Sequence, residues 1–233
     1  ILYGDVAPGG VLNLVTKKPL PDFMAEVNFK TGSWGLVRPA VDVTGPLTKS
    51  GNFRYRLNTS FEYQRSFRDF VSSRKAFLAP SLAWNISPKL VLTAEAMFNR
   101  SSATDDAGLV SPDGSISGLK KLAPSLYLGE PTRRYQYSNQ NYMAALTYQL
   151  SKTWRIKVAG FYAHTANTPF GIWFEQPDSA GNFARNGYGF YQAAHNGTGT
   201  AEANGTFYTG GIKHHLLFGL EYQSTHERYT NAG

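Results

Sequence analysis

The sequence predicts an all-β protein built on one large antiparallel sheet, and three observations support this fold class. Apolar and polar residues alternate with a period of two in one segment after another. Turns rich in Gly, Pro, Asn, Ser and Lys separate these segments. No segment shows a helical stripe of comparable strength, and no apolar run approaches the roughly eighteen residues of a transmembrane helix. We therefore expect about nine strands of roughly 9–12 residues each.

The alternation is clearest in residues 53–64. The odd positions are Phe, Tyr, Leu, Thr, Phe and Tyr, and the even positions are Arg, Arg, Asn, Ser, Glu and Gln. A soluble sheet packs such an apolar face on a core, whereas a membrane barrel turns it toward lipid and turns the polar face toward a lumen. Periodicity alone leaves both possibilities open. In chain order, the other apolar faces run through 27–29, 41–43, 78–84, 90–98, 142–150, 154–162, 201–207 and 216–222.

The lengths of the connections favour the membrane barrel. If the first barrel strand begins at Met24, connections on one side are short and those on the other side include two long ones, which is typical of outer-membrane barrels. Long connections without structure are uncommon in compact soluble domains and tend to be functional. Aromatic residues near the strand ends would form two interfacial girdles. The short set is 45–52, 85–89, 151–153 and 208–213; the other set is 32–35, 65–75, about 101–139 and about 165–196.

Composition excludes several kinds of chemistry. The 233 residues contain no cysteine, so disulfides, thiolate metal sites and cysteine nucleophiles are absent from this stretch. The formal net charge is +7, but the lysines and arginines are scattered, whereas nucleic-acid-binding proteins usually concentrate them in one patch. We expect solvated loops and strand ends to account for most of this charge, with attraction to anions such as lipopolysaccharide phosphates as the alternative.

Two motifs carry a family resemblance. Residues 2–19, LYGDVAPGGVLNLVTKKP, form a Pro-Gly-Gly turn that feeds an alternating strand, and they resemble the end of the plug domain in TonB-dependent siderophore receptors. Residues 214–222, HHLLFGLEY, resemble a barrel strand of the ferrichrome-type members. Ala79-Pro80 lies where that family has a strand with the same pair. The motifs keep the family's order along the chain.

The resemblance implies a fold and a function. Residues 1–20 would be the C-terminal end of a plug domain, and residues 21–233 the N-terminal part of a transmembrane β-barrel with about nine of an expected twenty-two strands. We expect the chain to be a piece of a longer, monomeric receptor in the outer membrane of a Gram-negative bacterium. That receptor would bind a ferric siderophore above the plug and take it up with energy from the TonB complex. Its other neighbours would be outer-membrane lipid and lipopolysaccharide, with no nucleic acid and no cofactor. The alternatives are a passive porin or adhesin barrel and a soluble β-rich binding protein.

The sequence also predicts which residues face lipid. Phe53, Tyr55, Leu57, Phe61, Leu216, Phe218 and Leu220 should share the lipid side of one curved sheet with two open edges. Arg54, Arg56, Glu62, Glu95 and Glu221 should share the lumen side.

Motifs for catalysis or metal binding are weak. Residues 114–118, Gly-Ser-Ile-Ser-Gly, place Ile where a hydrolase needs its serine, so we expect no enzyme. The five histidines lack metal-ligand spacing. Asp105-Asp106 and Asp113-Gly114 could ligate calcium, but without an EF-type pattern a solvated loop and a turn are favoured.

The aromatic residues of the long loops are the stronger candidates for a binding site. Residues 169–174, Pro-Phe-Gly-Ile-Trp-Phe, are too apolar for an exposed loop without a role. Aromatic rings bury large areas at low entropic cost and suit bulky, rigid ligands. The alternative is that these rings pack loop against loop or belong to the outer girdle. The predicted ligand-binding residues are Phe170, Trp173, Phe174, Tyr127 and Tyr135.

Overall fold

The period-two segments form ten β-strands in a computed structural model that describes residues 15–232. Two short helical turns accompany them, a 3-10 turn at Ser33–Gly35 and a single α-helical turn at Ile116–Leu119. The strands are Met24–Gly32 (β1), Leu36–Pro46 (β2), Phe53–Arg65 (β3), Ser72–Ser87 (β4), Leu90–Thr104 (β5), Arg134–Gln149 (β6), Trp154–Thr168 (β7), Phe170–Phe174 (β8), Arg185–Thr209 (β9) and Ile212–Ala232 (β10).

Every strand pairs antiparallel with its neighbour in one sheet. The order is β1-β2-β3-β4-β5-β6-β7-β9-β10, and β8 pairs with the far end of β9. Nine strands therefore make the continuous path, as the sequence predicts. The sheet does not close within the described residues, because β1 and β10 lie at its two ends. Short turns connect one end of the strands and long loops connect the other, so the predicted alternation of connections is confirmed.

The strand lengths correct the sequence prediction. The strands of the continuous path have from 9 to 25 residues, and β9 and β10 are the longest at 25 and 21. At about 3.3 Å per residue, both exceed what a bilayer crossing needs, even when tilted. The two long loops shrink accordingly, to 105–133 and 169–184, and the second contains β8. The strand ends beyond the apolar band mix Ser, Thr, Asn and Gly with charged and aromatic residues on both faces, so alternation does not mark them although the ladder continues.

The register confirms the two predicted faces. Leu57 lies opposite Val43 on one side and Pro80 on the other, while Arg56 lies opposite Thr44 and Ser81. Cross-strand partners share a face, so the pairing can be followed from β1 to β10. All seven residues predicted for the apolar side share one face, and all five predicted for the polar side share the other.

Burial in this sheet is the reverse of that in a soluble protein. Large apolar side chains are exposed, with Val27 at 74%, Phe218 at 59% and Leu220 at 65%. Buried apolar residues among those described are the four alanines at positions 83, 145, 163 and 193, whereas buried polar residues include Asp42, Thr44 and Arg56. A continuous exposed apolar face of this extent fits lipid rather than water. Among the described residues, no helix has the length and apolar character required to cross a bilayer.

Residues 15–20 cross the polar face without joining a strand. Thr16 donates a hydrogen bond to Glu95, and the backbone N–H of Leu20 donates to Thr44 Oγ1 at 2.9 Å. The Pro-Gly-Gly turn and most of the strand predicted in residues 2–19 lie outside the described residues.

Candidate functional site

The two long connections at residues 105–133 and 169–184 come together at one end of the sheet, and we call them the loop cluster. Asp105 links them, because its carbonyl accepts a hydrogen bond from the Tyr127 hydroxyl at 2.9 Å and its Oδ2 accepts one from the Ile172 N–H at 3.3 Å. Arg185, at the start of β9, donates to the carbonyls of Leu128 and Gly129 at 3.1 and 3.0 Å. Side-chain bonds to backbone thus fix the two loops against each other.

The connection between β3 and β4, residues 66–71, contacts the loop cluster. Arg68 lies 3.1 Å from an Asp106 carboxylate oxygen and donates to the Leu126 carbonyl at 3.2 Å. The ring of Phe70 lies 6.1 Å from that of Tyr127. Burial, followed by the charge of Asp105, raises the pKa of Tyr127, so its hydroxyl stays protonated and able to donate at neutral pH.

The predicted aromatic residues at 170–174 lie on β8 rather than in an irregular loop. Phe170 lies under the Arg133 guanidinium, 5.6 Å from the ring centre. Trp173 lies 5.9 Å from Tyr188 on the paired strand, and its side chain is 50% exposed. Phe174 packs edge to face on Phe183 at 5.7 Å. Trp173 is therefore the most accessible of the three, whereas Phe170 and Phe174 are partly covered by neighbouring loop residues.

The five predicted ligand-binding residues do not form one group. Tyr127 and the three β8 residues belong to the loop cluster, but Tyr135 lies on β6 opposite Ala103. This register places Tyr135 on the polar face of the sheet, on the same side as Glu95. It can reach a ligand only from the lumen side, below the loops.

A second polar group, which we call the wall cluster, comprises Lys17, Asp42, Thr44 and Arg56 on the polar face. The Arg56 guanidinium forms a bidentate pair with the Asp42 carboxylate, in which Nε donates to Oδ1 at 2.8 Å and Nη2 donates to Oδ2 at 2.7 Å. Lys17 Nζ reaches the same Oδ2 at 2.8 Å, and Arg56 Nη1 donates to the Lys18 carbonyl at 3.0 Å. The buried Thr44 hydroxyl donates to the Tyr55 carbonyl at 2.8 Å while accepting from Leu20. The cluster fastens residues 17–20 to strands β2 and β3.

The chain is similar in sequence to receptors of known function. No protein-family model matches the chain. The metal-pseudopaline receptor CntO of Pseudomonas aeruginosa strain UCBPP-PA14 is 31% identical over 227 residues, which cover 97% of this chain and 32% of the relative. The ferripyoverdine receptor of P. aeruginosa strain PAO1 is 34% identical over 98 residues, 42% of this chain and 12% of the relative. The chain belongs to the TonB-dependent siderophore receptors.

Solved receptor structures share the fold. The ferripyoverdine receptor of P. aeruginosa bound to ferripyoverdine superposes with a TM-score of 0.85 over 98% of this chain and 31% of that protein, at 22% identity. The ferric-catecholate import receptor Fiu of Escherichia coli K12, in its closed form, gives 0.80 over 99% of this chain and 35% of that protein, at 20% identity. The chain therefore spans about a third of the length of the relatives it matches. The described sheet is part of an outer-membrane receptor barrel.

The receptor sheet also aligns three histidines whose spacing along the sequence shows no metal-ligand pattern. His164, His195 and His226 are cross-strand partners on β7, β9 and β10, and the first two rings stack at 4.5 Å. Tyr162 Oη lies 2.7 Å from His195 Nδ1. No group of three or more His, Asp or Glu side chains in residues 15–232 is arranged to hold a metal ion. Only the register could reveal this row, because the three positions are about thirty residues apart.

The acidic pairs considered for calcium have structural partners in the receptor. Asp113 Oδ1 accepts from the Ser111 hydroxyl at 2.8 Å and from the Ser115 N–H and hydroxyl at 3.0 and 2.7 Å. These bonds lower the pKa of Asp113 to about 2, with the Ser115 hydroxyl as the largest cause. Asp106 pairs with Arg68. The favoured prediction, a turn and a solvated loop, agrees with these contacts.

Proposed function

We propose that the intact receptor takes up ferric siderophores through the outer membrane and that the loop cluster contacts the chelate. The observation that carries this proposal is the half-exposed Trp173 on β8, a strand held in place by Asp105 and by the pairing with β9. An exposed indole on a fixed support is suited to bind a large, rigid ligand, because little side-chain entropy is lost.

The charges of the loop cluster suit an anionic chelate. Arg133 lies within it, Arg68 and Arg185 contact it, and Arg133 and Arg185 are exposed. Arginine attracts carboxylate, hydroxamate and catecholate oxygens and also stacks on aromatic ligands. Iron would arrive already chelated, so the protein itself would need no metal ligands. We propose Phe170, Trp173, Phe174 and Tyr127 as contacts from the loops, and Tyr135 as a contact from the lumen.

The domain assignment is also part of the proposal. Residues 1–20 would end a plug, and residues 21–233 would begin the barrel of a monomer that performs no catalysis. The attachment of residues 17–20 to strands β2 and β3 supports this division, since it fixes the chain just before β1. Energy would come from the TonB complex acting on the plug, and outer-membrane lipid with lipopolysaccharide would surround the exposed apolar face.

A metal complex of pseudopaline is the second candidate cargo. The relative that matches 97% of this chain at 31% identity is a metal-pseudopaline receptor, whereas the ferripyoverdine receptor of strain PAO1 matches 42%. Binding of ferrichrome, ferrioxamine B, ferripyoverdine and metal-loaded pseudopaline to the full-length receptor, measured by fluorescence quenching, separates the candidates. Loss of uptake on deletion of TonB would distinguish the proposal from a passive porin.

The loop cluster is tested by Trp173→Ala in the full-length receptor. We expect the bound chelate to dissociate about tenfold to a hundredfold more readily, equivalent to about 1–3 kcal/mol of binding free energy. The amount of receptor in the outer membrane should not change, because Trp173 lies beyond the lipid band. Phe170→Ala and Phe174→Ala should give smaller losses, since both rings are partly covered. Unchanged affinity in all three variants would reject this loop as the site and leave the 127–137 region as the next candidate.

A further inference from the structure

Two exposed aromatic residues adopt a backbone conformation that side chains normally avoid. Trp34 has φ 62° and Phe70 has φ 63°, and they are the non-glycine residues with positive φ in the described part of the chain. This left-handed region brings Cβ close to the backbone and is unfavourable for bulky residues. Both side chains nevertheless remain largely in solvent, with exposures of 55% and 70%. Neither ring gains the burial that would offset the strain.

The turn that contains Trp34 has a geometry that favours a different residue at this position. Residues 33–36 close a turn in which the Leu36 N–H donates to the Ser33 carbonyl, and the two central residues, Trp34 and Gly35, both have positive φ. This is the arrangement of a type I′ turn, for which Asn-Gly is the favoured pair because Asn tolerates the first position. The chain has Gly where the turn needs it and Trp where Asn would fit with less strain. Backbone strain of this kind tends to persist at functional sites.

The two aromatic residues lie on neighbouring connections and form a continuous surface with the loop cluster. Trp34 lies 6.2 Å from Phe67, and the Arg68 guanidinium lies 5.4 Å from the centre of the Phe67 ring. Phe70, three residues further on, contacts Tyr127 of the loop cluster. We call Trp34, Phe67 and Phe70 the loop rim.

Membrane anchoring does not require such strain. Aromatic rings of the apolar face, such as those of Phe61 and Phe98, project from regular strands. A ring needed only at the lipid interface could sit on a strand in the same way. Trp34 and Phe70 instead project their rings from two connections between strands, and Phe70 shares its connection with Arg68.

We propose that the loop rim is a second contact surface for the chelate. A chelate held at the loop cluster would also contact the rings of Trp34 and Phe70, which lie next to that cluster. The ligand this surface fits is a bulky metal chelate with flat apolar groups and negatively charged oxygens, because the rim offers exposed rings beside a guanidinium. The inference rests on the proposed function and adds a second group of contacts to the same site.

The decisive experiment is Trp34→Asn in the full-length receptor. This change removes the ring and places the favoured Asn-Gly pair in the turn, so the thermal midpoint of unfolding in detergent should stay the same or rise. The four chelates to test are ferrichrome, ferrioxamine B, ferripyoverdine and metal-loaded pseudopaline. Affinity for the one that the wild type binds most tightly should fall about tenfold. Phe70→Asn should behave similarly. Trp34→Phe is the matched control, which keeps both ring and strain and should retain most of the affinity.

The outcomes separate the inference from the proposed function. Suppose that affinity is unchanged in Trp34→Asn and Phe70→Asn but weaker in Trp173→Ala. This result would reject the loop rim as a contact surface and would still support the proposed function. A lower thermal midpoint or less receptor in the membrane for Trp34→Asn would show a structural or anchoring role and would also overturn the rim. A wild type that binds none of the four chelates would overturn the proposed function and the rim with it.

Discussion

The wall cluster and the loop cluster are each stabilised by a different kind of contact. In the wall cluster, the buried Asp42 and Arg56 satisfy each other through two charged hydrogen bonds, and Lys17 adds a third to the same carboxylate. In the loop cluster, hydrogen bonds from side chains to backbone fix the loops, and the Trp173 ring stays half exposed. Removing one member should therefore damage the fold in the first region and ligand binding in the second.

The largest effect should come from Arg56→Ala. Removing one partner of a buried ion pair typically costs about 3–5 kcal/mol. Arg56→Ala should lie near the lower end of this range, because Lys17 still pairs with Asp42. We expect a destabilised barrel, measured as a lower midpoint of urea unfolding in detergent micelles. Lys75→Ala is the matched control, since the Lys75–Glu62 pair has a lysine side chain that is 61% exposed and should contribute at most about 1 kcal/mol. Equal losses in the two variants would contradict the contrast between buried and exposed pairs.

The next effect tests the other face of the same strand. Leu57 follows Arg56 directly but lies on the apolar side, opposite Val43 and Pro80. Leu57→Arg should cost about 2–4 kcal/mol if this position is near the bilayer midplane. The fraction of folded receptor in the membrane, read from heat-modifiable gel mobility, reports the loss. Ser60→Arg on the polar face is the control, and a larger defect there would show that the faces are assigned the wrong way round.

A smaller effect is expected within the loop cluster from Asp105→Ala. The change removes the acceptor of the Ile172 N–H and should loosen β8, at a cost of about 0.5–1.5 kcal/mol in local stability. Hydrogen exchange of residues 170–174 should accelerate while exchange in β3 stays slow, and chelate affinity should fall severalfold. The exposed Asp178, which caps the neighbouring turn through Ala180 and Asn182, provides the control substitution. No change in exchange at β8 would remove Asp105 as the link between the loops.

The smallest effect concerns pH and the turn at Asp113. Its pKa lies near 2 instead of 3.8, so the carboxylate form is favoured in the folded turn. The stabilisation is complete above about pH 5, where the unfolded group is also ionised, and it is lost as pH falls through about 2. Asp113→Asn should therefore speed local exchange at residues 114–118 at neutral pH without affecting the barrel. An NMR titration that gave Asp113 an ordinary pKa would show that the Ser111 and Ser115 bonds do not form in solution.

The sequence by itself determined which face each strand residue occupies and which end of the sheet carries the long loops. Alternation and turn composition are local properties, so Arg56 and Leu57 could be assigned to opposite faces without any knowledge of their partners. The family resemblance, carried by motifs near both ends of the chain, was likewise visible and is confirmed by the relatives.

Only the tertiary structure determined which residues these side chains contact. The pairing of Arg56 with Asp42 depends on the register between β2 and β3, and the contact of Phe70 with Tyr127 depends on how two loops fold over the sheet. The extra length of β9 and the strained φ of Trp34 were equally invisible, because polar strand ends and turn types leave no alternation to follow. Non-local contacts are set by register and loop packing, and these follow from the free energy of the whole sheet rather than from any one segment.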